Sequence, residues 1–316
     1  MGFIVPSQEI LSSNRNDVGG KAYALALMVR KGLQVPAFVC ITVEAYREYV
    51  FSTGLTSRIL FELNRKSFAD MRWEEIWDAS LRIRNLFLNT PIPPDMIKDM
   101  KPLIEGHFAE KPVVVRSSAP GEDASDISFA GLHESFVNVI GVNSILDHIR
   151  LVWASLWSDR ALLYRKELGL DVEGSSMAVV VQELLLGDRS GVAFTMNPVD
   201  TSQSVVEAVY GLNQGLVDGT VEPDRWILER ATGRTVSHHA AERDKTMAPT
   251  QSGVALVQLP EEKRANPPLK PRDVKRVFLM GKRCEGLFRS PQDVEFSLRD
   301  MTLYTLQSRP ITTTTS

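Results

Sequence analysis

Cysteine is nearly absent from this sequence. The 316 residues contain two, Cys40 and Cys284, too few for a disulfide framework or a four-cysteine zinc site. Both are expected to be small buried hydrophobes. No apolar run approaches the ~20 residues that a membrane-crossing helix needs. Met1 to Ile10 lacks a basic segment followed by a long apolar one, so no secretory leader is read there. An excess of one charge is also missing. Lys and Arg number 36 against 39 Asp and Glu, a net charge of -3, whereas a dedicated nucleic-acid binder is usually basic. These absences leave a chain expected in the cytoplasm, with neither nucleic acid nor membrane as partner. What is present is ordinary for a globular protein, with 43% hydrophobic and 24% charged residues. At ~150 residues per domain the length suggests two domains or lobes.

The first third reads as helical. Lys21 to Lys31 is rich in helix formers and ends at Gly32. Trp73, Ile76, Trp77, Leu81, Ile83, Leu86 and Phe87 follow a 3.6-residue period, which places them toward a core. Thr90-Pro91-Ile92-Pro93-Pro94 ends that helix, and another is expected after it. Val113-Val114-Val115 fits a buried strand and Ser135 to Val139 a second. Asn143 to Leu168 reads as one long amphipathic helix with Ile145, Ile149, Val152 and Leu156 inward. Strand patterns then dominate, at Met177–Glu183, Gly191–Thr195, Val205–Val209 and Arg225–Glu229. Gly233 to Pro268 has weak periodicity. A helix over Arg272–Phe288 precedes two closing strands. Helices followed by sheet suggest an α+β protein. Thr312 to Ser316 has no apolar anchor and reads as a disordered tail.

The closing strands carry the most chemistry. Asp293 to Leu298 and Thr302 to Gln307 alternate polar and apolar residues. A three-residue loop, Arg299-Asp300-Met301, would set Leu298 opposite Thr302, Phe296 opposite Tyr304 and Val294 opposite Leu306. That register gathers apolar side chains on one face and Asp293, Glu295, Gln307 and Arg309 on the other, and it is the one the pattern predicts. Two carboxylates, an amide and a guanidinium could hold a hard cation and a phosphate. On pattern alone a solvated hairpin face is the commoner reading.

Three further features are candidates. Val18-Gly19-Gly20-Lys21 stands before a helix, where glycines allow close approach and the helix start attracts phosphate, although P-loop spacing is absent. Arg116 ends a buried strand and is followed by a small-residue stretch through Ser128-Phe129-Ala130-Gly131. A plain glycine turn and a structural ion pair remain the simpler readings. His238-His239 lacks a nearby third ligand and reads as an unremarkable loop pair.

Together these blocks resemble one family, the N-terminal ATP-binding domain of phosphoenolpyruvate synthase, pyruvate phosphate dikinase and rifampicin phosphotransferase. The resemblance runs from about Gly19 to Thr312. It rests on Gly19-Gly20-Lys21-Ala22, Val35-Pro36-Ala37-Phe38, and Val115-Arg116-Ser117-Ser118-Ala119 with Glu122-Asp123. Ser128 to Gly131, Phe136-Val137-Asn138-Val139, Gln182-Glu183 and Gly191 to Thr195 follow. Pro198, Val221-Glu222-Pro223-Asp224, Asp293-Val294-Glu295 and Leu306 to Thr312 complete the order. Each block is weak alone; their joint order is specific.

The resemblance implies an ATP-grasp fold, two lobes with antiparallel sheets enclosing a nucleotide cleft. Residues 1–175 would form the N-terminal lobe and 176–311 the C-terminal lobe with the magnesium-binding hairpin. ATP and Mg²⁺ are the implied ligands. Lys21 and Arg116 would contact phosphates, Gly131 would lie in the loop over them, and Gln182 and Glu183 would flank adenine and ribose. Glu295 and Gln307 would bind Mg²⁺, with Asp293 nearby and Arg309 on phosphate. Lys21, Arg116 and Arg309 are thus the candidate catalytic residues. The implied reaction passes the β-phosphoryl group of ATP to a histidine on a swivelling domain, and then to pyruvate on a pyruvate-binding domain or to rifampicin. Neither partner domain is matched here, so an excised domain or a stand-alone half is expected. Where the family often has Gly-Leu-Gly-Glu, this chain has Gly211-Leu212-Asn213-Gln214. That loss of a carboxylate leaves a nucleotide-sensing module as the alternative.

Overall fold

The structure is a computed structural model. It describes residues 2–120, 132–251 and 253–311, and the backbone alone of 123–124 and 127–128. The chain divides into two compact units. Unit 1 comprises the residues up to Tyr23 with Ala37–Leu184; unit 2 comprises Ala24–Pro36 and the chain from Leu185 onward. Gly131 and the tail from Thr312 lie outside the described residues.

Unit 1 contains, in order, β1 (Ile4–Pro6), the first part of α1 (Arg15–Arg30), β2 (Phe38–Ile41), α2 (Val43–Ser52), α3 (Leu55–Leu63), α4 (Trp73–Asn89) and α5 (Pro94–Phe108). Then come β3 (Val113–Ser118), β4 (Asp123–Ala124), β5 (Ile127–Ser128), β6 (Ser135–Val139), α6 (Val142–Ser155), α7 (Asp159–Glu167) and β7 (Ala178–Glu183). Its main sheet has the order β1-β2-β7-β3-β6, with every neighbour antiparallel. Val39, Ile41, Val113, Val115, Val179 and Val181 turn one sheet face into the core, where they join Ile76, Ile83, Phe87, Ile149 and Trp153. Alternation therefore puts Cys40, Arg116 and Gln182 on the opposite sheet face.

Three expectations for unit 1 need correction. β1 and β2 lie among the helices of the first third. Phe38–Ile41 is buried at all four positions, so it offers no alternation to announce a strand. The helix expected over Asn143–Leu168 is two helices. Ser158 starts the second as its N-cap, accepting the Ala161 N–H at 3.2 Å. Arg165 donates to the Leu156 carbonyl at 2.8 Å across the break. The apolar period continues through that break, so periodicity alone joins the two helices. Finally, Trp73, Trp77 and Leu81 are 65%, 52% and 47% exposed, while Ile76, Ile83 and Phe87 are buried. The two tryptophans are not core residues.

Unit 2 contains the rest of α1, then β8 (Arg189–Phe194), β9 (Gln203–Tyr210), α8 (Gln214–Val217), β10 (Asp224–Glu229), β11 (Thr235–His239), β12 (Lys245–Pro249) and β13 (Val254–Gln258). α9 (Glu261–Arg264), α10 (Pro271–Phe288), β14 (Gln292–Arg299) and β15 (Thr302–Pro310) complete it. The six-stranded antiparallel sheet runs β11-β10-β9-β8-β14-β15, and β12 pairs with β13. α10 packs on the sheet, with Val274, Val277 and Phe278 buried, as are Val294, Phe296 and Leu298 of β14. His238 and His239 end strand β11; they are not a loop pair.

The closing hairpin forms, but in a different register. Arg299 pairs with Thr302, Leu298 with Leu303 and Phe296 with Thr305. The loop is thus two residues, Asp300 and Met301, both left-handed at φ 47° and 68°. That conformation matches the twist of the flanking strands. A bulge follows, after which Glu295 pairs with Gln307 and Asp293 with Arg309. The apolar-segregation criterion fails here because it carries no term for a bulge.

The architecture is α+β, built on antiparallel sheets, as the order of elements suggested. Among the described residues no helix is long and apolar enough to cross a membrane.

Candidate nucleotide and metal site

In unit 1 the site begins with a backbone collision avoided. Gly19 interrupts α1 at φ 76°, ψ 170°. A Cβ there would lie 1.8 Å from the Ser118 carbonyl oxygen, so only glycine lets α1 approach β3 this closely. The Ser118 hydroxyl ties the two together, accepting the Ala22 N–H at 3.1 Å and donating to the Val18 carbonyl at 2.8 Å. Lys21, one step into the regular helix, donates to Ser117 Oγ at 3.3 Å. Arg116 precedes Ser117 on β3. Lys21 and Arg116, from distant parts of the sequence, therefore stand at the same end of β3 beside a helix start, where anions are favoured.

Gln182 shares the Arg116 sheet face, opposite Val114 in register. It is 2% exposed, and its Nε2 is buried without a partner. An unmet buried donor is costly, which fits a ligand acceptor. Glu183 points to the other face, 3.8 Å from Lys111 Nζ.

In unit 2 the bulged hairpin places Asp293, Glu295, Gln307 and Arg309 on one face of β14–β15. Arg309 donates to Asp293 Oδ2 through Nε at 2.8 Å and Nη2 at 2.7 Å. Burial pushes the Asp293 carboxyl above its ordinary range; Arg309 opposes that shift, and Glu295 and Glu207 add to it. Asp293 Oδ1 is buried without a hydrogen-bond partner. Asn213 donates to Glu295 Oε2 at 3.4 Å. The sequence reading missed two members of this face. Glu207 lies in the same cross-strand row as Glu295, through Val192 of β8, and accepts from Arg225 Nε at 2.6 Å. Its signal was a lone charge within Val205-Val206-Glu207-Ala208-Val209. Asn213 gave no signal beyond a departure from the expected Gly-Leu-Gly-Glu. Gly191 lets the sheet close beneath them, since a Cβ there would lie 2.0 Å from the Glu207 carbonyl oxygen.

Among the described residues no cluster of three His, Cys, Asp or Glu could hold a metal alone. The oxygen donors of Glu295, Gln307 and Asp293 nonetheless fit Mg²⁺, which takes one or two carboxylates and completes its shell from phosphate and water. His238 has a structural task. It stacks on Trp226 at 4.5 Å and meets buried Asp224 at 2.7 Å, and Arg243 forks onto the same carboxylate at 2.7 and 2.6 Å. A cavity of about 570 Å³ in unit 2, lined by Arg230, Arg234 and Lys282, contains none of the residues above. Each of those cations faces a carboxylate, Glu285 or Glu229.

A basic pair at a glycine-gated helix start and an oxygen-rich strand pair, on antiparallel sheets, define the class: an ATP-binding α+β domain. The sequence model described as "Pyruvate phosphate dikinase, AMP/ATP-binding domain" matches residues 15–316, and the chain belongs to that family. A protein named probable phosphoenolpyruvate synthase from Methanocaldococcus jannaschii is 32% identical over 99% of this chain and 27% of its own length. Rifampicin phosphotransferase of Streptomyces sviceus is 35% identical over 98% of this chain and 36% of its own. The chain therefore spans about a quarter to a third of these relatives. Among solved structures, D-alanine–D-alanine ligase from Bacillus anthracis gives a TM-score of 0.37 at 9% identity, over 95% of this chain and 58% of that one, a likeness too slight to bear on function.

Proposed function

We propose that this chain is the ATP-binding phosphotransferase domain of a phosphoenolpyruvate synthase-like enzyme acting in the cytoplasm. Lys21, Arg116 and Arg309 receive the phosphates. Gln182 receives the adenosine end; the Glu183 side chain, expected to flank it, lies on the other face of β7 near Lys111. Glu295 and Gln307 hold Mg²⁺, with Asp293 adjacent. Bound magnesium would offset charge on the phosphoryl oxygens. Lys21 and the arginines supply fixed cations to the same oxygens. The histidine of a separate swivelling domain then attacks the β-phosphorus and the bond to the α-phosphate oxygen breaks, so AMP departs; the γ-phosphate is passed to water or inorganic phosphate, and the remaining phosphohistidine hands its phosphate to pyruvate on a pyruvate-binding domain.

The observation supporting this most directly is the bulged register, which sets Glu295 against Gln307 and Asp293 against Arg309. The test is calorimetric titration with ATP, with and without Mg²⁺, on wild type and Glu295→Ala. Magnesium-dependent binding that disappears in the variant is expected. Binding indifferent to both magnesium and the substitution would refute the hairpin assignment.

Gln214 favours a second reading, a nucleotide sensor without transfer. Its Oε1 is buried without a partner, at the position where the family pattern has glutamate. Supplying a histidine domain separates the two readings: AMP release supports transfer, and ATP binding without AMP supports sensing. Identities of 32% and 35% do not separate pyruvate from rifampicin as the acceptor.

A further inference from the structure

Asn213 holds an unmet hydrogen-bond acceptor beside the Glu295 carboxylate. Left-handed Gly211, at φ 73°, turns the chain off β9. Gly211 N–H donates to the Asp188 carbonyl and Leu212 N–H to the Met247 carbonyl, both at 3.0 Å, which pins the turn. Asn213 follows at the start of α8, where an asparagine ordinarily caps the helix with its side-chain oxygen. It makes no such bond here. Its own backbone is already helical, at φ -62°, ψ -21°, whereas a capping residue is normally extended. The residue is 9% exposed, and its Nδ2 meets Glu295 Oε2 at 3.4 Å. Carboxylate oxygens accept, so the amide nitrogen takes that side and the amide oxygen the other. That oxygen, Oδ1, is buried without a hydrogen-bond partner. Asn213 therefore adds little to stability: the cap is absent, the bond to Glu295 is long, and a buried acceptor left unmet is costly.

We propose that Asn213 is a positioning residue of the cation site: Nδ2 orients Glu295, and Oδ1 accepts a proton from a water in the ion's hydration shell. This rests on the assignment of Mg²⁺ to Glu295 and Gln307 above. Magnesium suits the arrangement, because it takes one or two carboxylates and keeps several of its waters. Removing a group that holds a metal's ligand, rather than the metal itself, typically costs about 10- to 100-fold in metal affinity. The family pattern has glycine at this position, so the amide is a feature of this chain's own site.

Calorimetric titration of Mg²⁺ into the chain saturated with a non-hydrolysable ATP analogue tests this, beside thermal melting of the ligand-free chain. Asn213→Ala should weaken Mg²⁺ binding at least about tenfold. It should leave the analogue's metal-free affinity unchanged and melt at or above the wild-type temperature. Asn213→Leu, which keeps the bulk but neither polar atom, should show the same loss. Unchanged magnesium affinity in Asn213→Ala overturns the proposal. So does a loss that Asn213→Leu does not share, because packing would then be its cause. A loss accompanied by a lower melting temperature without ligand overturns it too, because the residue would then be structural. Glu295→Ala in the same titration separates this role from the site assignment. If Glu295→Ala loses magnesium and Asn213→Ala does not, the site stands and only the role of Asn213 falls. If wild type shows no magnesium response, or Glu295→Ala retains it, the assignment fails and the proposal with it.

Discussion

Gly19→Ala strikes the junction on which the unit 1 half of the site depends. At φ 76°, ψ 170° the backbone occupies a region essentially reserved for glycine, where another residue costs about 1–3 kcal/mol. The new Cβ would lie 1.8 Å from the Ser118 carbonyl oxygen and 2.4 Å from its carbon. Both are backbone atoms, so relief requires α1 and β3 to part. Parting breaks the Ala22–Ser118 and Ser118–Val18 hydrogen bonds, each worth about 1 kcal/mol. The expected loss of stability is therefore about 3–5 kcal/mol.

Gly54→Ala is the matched control. Gly54 is also left-handed, at φ 69°, but nothing lies within 4 Å of its Cβ position, so only the backbone term of about 1–2 kcal/mol applies. Urea unfolding of both variants isolates the contact term as their difference, about 2–3 kcal/mol. Calorimetry should show a parallel functional split. Displacing Lys21 from Ser117 weakens ATP binding about tenfold, the loss of one charge-assisted contact, and Gly54→Ala leaves it unchanged. Equal destabilisation by the two substitutions, or full ATP affinity in Gly19→Ala, would refute the reasoning.

Two further outcomes follow from unit 2 and the cysteines. Asp224→Ala leaves Arg243 and His238 without the buried carboxylate they share, and should cost about 3 kcal/mol in urea unfolding; a loss below 1 kcal/mol would make the cluster incidental. Cys40 and Cys284 are buried, and burial raises both thiols, Cys284 to about 11 from 9.0. An aromatic disulfide reagent should titrate neither in the folded chain at pH 8 and both after denaturation. The folded Cys284 keeps its proton where the unfolded thiol releases it, so its contribution to stability is intact below pH 9 and declines from there toward pH 11.

Much of this was legible because the chemistry was local. The alternation of Asp293 to Leu298 fixed which β14 side chains share a face, whatever the pairing. The positions of Glu295 and Gln307 relative to one another depended on a bulge at the middle of the hairpin, and no local pattern encodes one. Gly19 and Ser118 are a hundred residues apart, and nothing in either neighbourhood announces that they touch. The failure at Trp73 and Trp77 has a different origin. Their spacing is helical, but a period identifies a stripe without saying what covers it. Glu207 was passed over because an apolar strand reads as uniformly buried until its cross-strand row is known.

That row has an energetic consequence which separates a metal site from an ordinary ion-pair network. Glu207 and Glu295 stand in one row, and Asp293 shares their sheet face two residues along β14. Arg225 pairs with Glu207, Arg309 with Asp293, and Asn213 donates to Glu295. Residues two apart on a strand are about 7 Å apart. Like charges at that distance repel by about 2 kcal/mol at an effective dielectric of 20, reduced to about 1 kcal/mol by partial exposure. If Glu295 and Gln307 hold a divalent cation, as proposed, the ion relieves that repulsion. Glu295→Gln preserves shape and removes the charge. Without ligand the variant should melt at the same temperature as wild type or slightly above it. With a non-hydrolysable ATP analogue, adding Mg²⁺ at about a hundred times its dissociation constant should stabilise wild type by about 2.7 kcal/mol, and the variant much less. If Glu295→Gln instead destabilises the ligand-free chain and leaves the magnesium response intact, the carboxylate is a structural partner and the ion binds elsewhere.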